Sequence, residues 1–366
     1  MIKHFWGSLL FTAIGLALGG WYGWALHGTI DGMLGILWIC AVLAVLEVSL
    51  SFDNAAVNAS ILKDMDPVWQ QRFLTWGIAI AVFGMRIVFP LVIVMVAASL
   101  GPIDAIQLAL SEPSEYQRIV SDAHIGLMGF GGAFLGMVGL KFFFDEDKEL
   151  SWIGAIERPL SKVANIEAMS IGLVLMATWA TSTMLADGDA LTFITSAIAG
   201  LLTYLAVEIV NHVLEPPTPS TGDVAKAGFG AFLYLEVLDA SFSFDGVIGA
   251  FALTNNLIII AIGLGIGAMF VRSMTVFLVR KGTMSEYRYL EHGAFYAILA
   301  LATIMYINTF SHIPEVITGL IGAVLIGLAF WSSVRWNRNN AREGAAETAS
   351  EPILPTGEAI EDGSAQ

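Results

Sequence analysis

Two stretches of this chain place acids, hydroxyls and amides in the same register, each inside an apolar run long enough to cross a bilayer. The first is Glu47-Val-Ser49-Leu-Ser51-Phe52-Asp53-Asn54, and the second is Asp239-Ala-Ser241-Phe-Ser243-Phe244-Asp245-Gly246. A carboxylate in hydrocarbon is costly, so it persists where it faces the bundle interior and meets a partner or an ion. Two such clusters in equivalent places point to an ion site built by an internal repeat.

On an ideal helix, at about 100° per residue, Glu47, Ser51, Asn54 and Asn58 share one face, and Asp53 and Ser49 point roughly 120–160° away. In the second copy Glu236, Asp239, Ser243 and Gly246 cluster, with Asp245 and Ser241 rotated off. Both acids of one copy therefore cannot meet one ion from an ideal helix. Either the helix opens near the Ser-Phe-Asp step and frees carbonyls as ligands, or the outlying Asp pairs with another helix. Gly246 and Gly249 permit opening in the second copy, whereas the first has Asn54, which tolerates unusual backbone better than most residues. Arg86 and Arg272 lie inside apolar runs and are the counter-charges available to the outlying acids. Pairs of that kind also serve simply to hold a bundle together.

The donor types speak to the ion. Carboxylates, hydroxyls, an amide and carbonyls are hard oxygen ligands, suited to Mg²⁺, Mn²⁺ or Ca²⁺. Cys40 has no second cysteine to pair with, and the six His fall mostly at span ends or in connections, against a thiolate or His-rich site. No cofactor is expected beyond a divalent metal ion as substrate. No basic patch suggests nucleic acid.

The elements that must position these residues are membrane spans. The chain is 56% hydrophobic and 13% charged, with a mean hydropathy of +0.73, which places it outside the soluble range. About ten apolar runs recur, near 5–27, 33–62, 73–99, 124–144, 168–185, 190–212, 230–253, 256–280, 293–310 and 314–334. The expected fold is an all-α polytopic membrane protein of about ten transmembrane helices, with the lipid bilayer as its surroundings. With the N-terminus inside, every Lys and Arg outside the spans falls on the inside except Arg118. That bias puts both termini in the cytoplasm and the chain in the plasma (inner) membrane. The first apolar run carries Trp21 and Trp24 and lacks a clear A-x-A site, so it is expected to be retained rather than cleaved.

The repeat extends beyond the motif. Gly77 and Gly263 each stand nine residues before an intramembrane Arg, Arg86 and Arg272, and His124 and His292 open corresponding spans. Five helices separate the motif copies, so the second crosses the membrane opposite to the first. The expected units are an extra N-terminal helix (1–32), a first three-helix repeat (33–145) and a connecting region with two helices (146–229). An inverted second repeat (230–312), a last helix (313–336) and a disordered acidic tail (337–366) follow. Glu47 and Asp239 are expected to converge within about 10 Å, a separation one ion can bridge with ligand bonds of about 2.0–2.6 Å.

The residues from Leu46 to Ala55, together with Leu235-Glu236-Val-Leu-Asp239 and Ser-Phe-Asp245-Gly-Val, resemble the paired motifs of the TerC family of integral membrane proteins. Gly131-Gly132-Ala-Phe134-Leu with Gly139-Leu-Lys141 also resembles that family's third repeat helix. The resemblance covers about residues 33 to 330. It implies a lysine-exporter-like fold of inverted three-helix repeats, and an association with tellurium resistance and with export of manganese or calcium. On matching positions it implies Glu47, Asp53, Asn54, Glu236, Asp239 and Asp245 as the metal-binding set, supported by Ser51, Asn58 and Ser243. The chain departs from the pattern in Gly246, where the family commonly has Ser, in a long connection at 100–123 and in its extra first helix, and so resembles an outlying branch.

The expected function is transport of a divalent cation, Mn²⁺ or a similar hard ion, by alternating access around midplane carboxylates and in the export direction. The alternative is a non-transporting membrane component of a metal or tellurium stress-resistance complex. An aspartyl protease is disfavoured, because a dyad needs two acids and here five acids and two Arg repeat by symmetry. No enzymatic activity is expected. The sequence leaves open whether the chain forms a homo-oligomer.

Overall fold

The computed structural model describes residues 2–145, 150–161, 168–214 and 228–350. The chain opens with α1 (Ile2–His27), α2 (Ile30–Leu50), α3 (Phe52–Leu62), α4 (Pro67–Phe73) and α5 (Trp76–Ala79). A π-helix (Ile80–Val88) leads into α6 (Phe89–Ala97), α7 (Pro102–Ser111), α8 (Pro113–Asp122) and α9 (His124–Phe143). Then come α10 (Gly154–Ser161), α11 (Met169–Ser182), α12 (Asp187–Leu214) and α13 (Phe229–Phe251). The last elements are α14 (Leu257–Arg280), α15 (Thr283–Glu286), α16 (Leu290–Asn308) and α17 (Glu315–Ser350).

Among the described residues seven helices are long and apolar enough to cross a membrane: α1, α2, α9, α12, α14, α16 and α17. The pair Val82–Ala97 and Pro102–Ser111, bent by 107°, makes eight if it is one span. Large apolar side chains such as Trp38, Val45, Leu191, Leu202 and Leu320 stand exposed on these helices, as lipid-facing residues do. The chain is a polytopic all-α membrane protein. Every one of the ten expected segments is helical, yet three do not qualify as simple spans: the segment at 73–99, which belongs to the bent pair, and two others. Helix α11 has 14 residues, about 21 Å at 1.5 Å per residue, against about 30 Å of hydrocarbon. Helix α13 has the length, 23 residues, but carries Glu236, Asp239 and Asp245.

Local chemistry explains the interruptions. Gly28, at φ +63°, ends α1, and Thr29 caps α2 by accepting from Gly32 N at 3.2 Å. Asn256 caps α14, accepting from Ile258 N and Ile259 N at 3.0 and 3.3 Å. The π-helix precedes Pro90, whose ring crowds the Arg86 carbonyl and offers it no N–H. The ladder answers by widening, so that Phe89 N bonds Gly84 O, five residues back. Most π-widenings are single turns and recur at functional sites; this one runs for nine residues and carries Arg86.

Around the motifs the packing is reciprocal. Helices α2 and α3 lie on α14, α13 lies on the π-helix, and α9 lies on α16. This exchange of partners is what two related halves would make. Helix α14 reaches α2 closely because Gly267 has no side chain: a Cβ there would stand 2.5 Å from Glu47 Cβ and 2.7 Å from Ala44 O. At the C-terminal end of α3, Lys63 Nζ bonds Glu291 Oε2 at 2.6 Å and ties that end to α16. Helix α17 runs to Ser350, so residues 337–350 are helical where a disordered tail was expected; the expected tail's remainder, 351–366, lies outside the described residues.

Gly267→Ala should therefore push α14 from α2 against backbone as well as side chain, lowering stability by about 1–3 kcal/mol as overpacking does. Gly172→Ala meets nothing within 4 Å and should be neutral. Thermal unfolding in detergent compares the two.

Candidate functional site

Helix α2 stops at Leu50 and α3 starts at Phe52, with Ser51 between them at φ −101° and ψ 17°. The first motif copy thus opens at the Ser-Phe-Asp step. The second does not: α13 continues unbroken through Gly246 and Gly249. The opening turns Glu47 and Asp53 onto different neighbours. Glu47, 1% exposed, pairs with Arg86 Nη2 and accepts from Ser51 Oγ at 3.0 Å. Asp53 faces α17, where a Cβ on Gly322 would lie 2.8 Å from its Oδ2, and its Oδ1 accepts from Asn54 N at 2.9 Å. Arg86 was expected to serve the outlying Asp53. It serves Glu47 instead, because the π-helix aims it at α2.

The two motif copies meet. A Cβ on Gly246 of α13 would lie 3.0 Å from Glu47 Oε2, so the glycine leaves room for that carboxylate. Asp239 Oδ1 accepts from Asn58 Nδ2 of α3 at 2.7 Å. A cavity of about 30 Å³ is lined by Asn54, Asn58, Phe73, Arg86, Asp239 and Arg272, with residues of α14 closing it. That volume suits about one water molecule or one ion. Glu47 and Asp239 both adjoin Arg86, one bonded to it and the other across this cavity.

Glu236 sits one step away. A Cβ on Gly77 would lie 3.3 Å from Glu236 Oε1 and 3.6 Å from Arg272 Nη1, which puts acid and guanidinium side by side. Glu236 also lines a second crevice of about 300 Å³, with Met85, Phe89, Leu127 and Ser241. Arg272 Nη2 donates to Phe73 O at 2.6 Å, and its guanidinium lies 5.5 Å over the Phe73 ring. Phe73 is buried among Leu62, Met65, Ala231 and Leu235. It thereby stoppers the cavity on the α4 side, a role that the sequence reading missed; the only signal was an aromatic residue at the very start of an apolar run.

Several buried oxygens lack a protein partner: Asn54 Oδ1, Asn58 Oδ1, both carboxylate oxygens of Glu236 and Ser243 Oγ. Each unmet acceptor costs about 1–3 kcal/mol. Around the site four described carboxylates, Glu47, Asp53, Glu236 and Asp239, are buried with two guanidiniums, Arg86 and Arg272. The Asp245 side chain lies outside the described residues. Among those described, no group of three or more His, Cys, Asp or Glu is arranged to hold a metal ion. The expected set is therefore not one cluster here. Asn54, Asn58 and Asp239 share the cavity, Glu47 and Glu236 flank it, and Asp53 turns away.

A family profile described as "Protein of unknown function (DUF475)" matches residues 52–340, and the chain belongs to that family, which is a membrane family. The match includes Asn54, Asn58, Arg86, Asp239 and Arg272 and begins after Glu47. Comparison with curated proteins and with solved structures gives no match.

The Arg86–Glu47 pair makes a direct expectation. Arg86→Ala leaves Glu47 buried and uncompensated, a loss of about 3–5 kcal/mol by analogy with buried pairs elsewhere. Folded, monodisperse protein should fall sharply in that variant and partly return in Arg86→Ala/Glu47→Gln. Equal yields for wild type and the single variant would show that the pair is not holding the bundle.

Proposed function

We propose that this member of the family moves a divalent cation across the membrane, through the cavity between α3, α13, α14 and the π-helix. One observation carries the reading: in an apolar bundle Asn54, Asn58 and the Asp239 carboxylate line one space the size of an ion, and the amide oxygens of both Asn, Asn54 Oδ1 and Asn58 Oδ1, are buried without a partner. Hard oxygen donors of this kind suit Mn²⁺, Mg²⁺ or Ca²⁺ better than softer metals. Charge supports the same reading, since Glu47, Glu236 and Asp239 against Arg86 and Arg272 leave a formal excess of one negative charge around the cavity when all are ionised. A divalent ion offsets that excess.

The route follows from what flanks the cavity. The crevice at Glu236 supplies an approach on the α9 side, and Phe73 blocks the α4 side. Release on the blocked side requires Phe73 to leave, and that movement breaks the Arg272 bond to its carbonyl. Arg272, already beside Glu236, is then free to turn wholly to Glu236 and Asp239, replacing the departing cation as their counter-charge. In this scheme the two halves rock about the site and the guanidiniums prevent the acids from standing uncompensated. The resemblance to the TerC family favours Mn²⁺ or a related ion and export, with both termini inside the cytoplasmic membrane.

Asp239→Asn keeps the shape of the site and removes its charge. It should insert and fold normally while Mn²⁺ uptake into inverted membrane vesicles drops at least about tenfold, a modest equivalent of 1.4 kcal/mol. Full uptake by that variant would sink the assignment. Absence of flux for Mn²⁺, Mg²⁺ and Ca²⁺ in the wild type would favour a non-transporting component of a resistance complex.

A further inference from the structure

A large apolar cavity lies away from the polar site, on the other face of the bundle from α13, beside the π-helix. It has about 850 Å³ and is walled by α1, the π-helix, α6, α7 and α14, through Phe11, Leu18, Phe83, Ile87, Leu110 and Ile262 among others. Every wall residue is apolar apart from Tyr22. Unfilled, a space of this size would forfeit the dispersion contacts of its whole lining.

Its length and its two ends identify what fills it. Along α1 the lining runs from Phe11 to Tyr22, about 16 Å at 1.5 Å per residue, and one leaflet of hydrocarbon is about half of 30 Å. One end carries Tyr22, whose hydroxyl accepts from Asn256 Nδ2 at 2.9 Å, and the exposed Trp21. Tyr and Trp mark the headgroup level of a bilayer. Helix α7, set at 107° to the segment before it, closes the same end with Ile106 and Leu110. The other end, at Phe11 and Val82, is apolar and belongs to mid-membrane. We infer that this slot is a lipid site that takes one acyl chain of a phospholipid from the leaflet on the α7 side, with its headgroup at Trp21 and Tyr22.

The site has a structural consequence. Val82, Phe83 and Ile87 of the π-helix line the slot, and Arg86 of the same turns pairs with Glu47. A chain in the slot braces the widened turns. This inference does not rest on cation transport.

Purified full-length protein in mild detergent, examined by native mass spectrometry, should retain about one phospholipid per chain. Ala261→Trp fills the slot from α14. Displacing even two methylenes costs about tenfold in affinity, so retention should fall by at least that factor. Leu320→Trp, on an exposed face of α17, controls for loosely held surface lipid and should retain lipid like the wild type. Delipidation should lower the thermal midpoint of the wild type and of Leu320→Trp, and leave Ala261→Trp unchanged. Equal retention in all three proteins, loss in Leu320→Trp as well, or no lipid on the wild type would each overturn the assignment. Because both readouts are lipid retention and unfolding, a failure here leaves the cation reading untouched, and the reverse also holds.

Discussion

Burying Arg86 beside Glu47 in an apolar bundle constrains the rest of the molecule. Neither charge tolerates the hydrocarbon alone, so the two must meet, and several departures from regular structure serve that meeting. The π-helix before Pro90 aims the guanidinium at α2, Ser51 breaks the chain just after Glu47 and donates to it, and Gly246 clears space at its carboxylate and Gly267 at its Cβ and Cγ. Once that pair is made, α2, α13, α14 and the π-helix are held around one point. The cavity of Asn54, Asn58 and Asp239 is what remains between them.

The two halves repeat in sequence but are not interchangeable in structure. The first motif copy is broken and its acid is paired, while the second is continuous and its Asp239 meets an amide and a small cavity. Arg86 bonds a carboxylate; Arg272 bonds a backbone carbonyl and covers an aromatic ring. An asymmetric arrangement of symmetric parts is what rocking between two access states requires, since each half takes the other's role in turn. Within the proposed mechanism, the arginines are the charges that move as the cation enters and leaves.

Much of this was legible in residue types. Membrane class and helical content followed from apolar run lengths; a 100° period put Glu47, Ser51, Asn54 and Asn58 on one face, but with the helix broken at Ser51 only Asn54 and Asn58 line the cavity. The separation of Asp53 from Glu47 followed from the same period. What escaped was governed by long-range contacts or single backbone atoms. Arg86 was assigned to the outlying Asp, and only the widened turn brings it to Glu47. Opening was weighed for both copies, with glycines favouring the second, yet tertiary packing opened the first at Ser51. Phe73 acts through its carbonyl as well as its ring, and a carbonyl leaves no trace in composition. Short or charged segments such as α11 and α13 read as spans because apolar content, rather than length or acidity, dominates a sequence window.

The central claim is that the cavity at Asp239 binds one divalent cation through oxygen ligands, and electron paramagnetic resonance of Mn²⁺ added to the purified protein tests it most directly. The account predicts loss of the free-ion signal up to about one Mn²⁺ per chain, with Mg²⁺ or Ca²⁺ competing, and its return when Asp239 is Asn. A free-ion spectrum at every ratio in the wild type, or identical binding by wild type and Asp239→Asn, would contradict it.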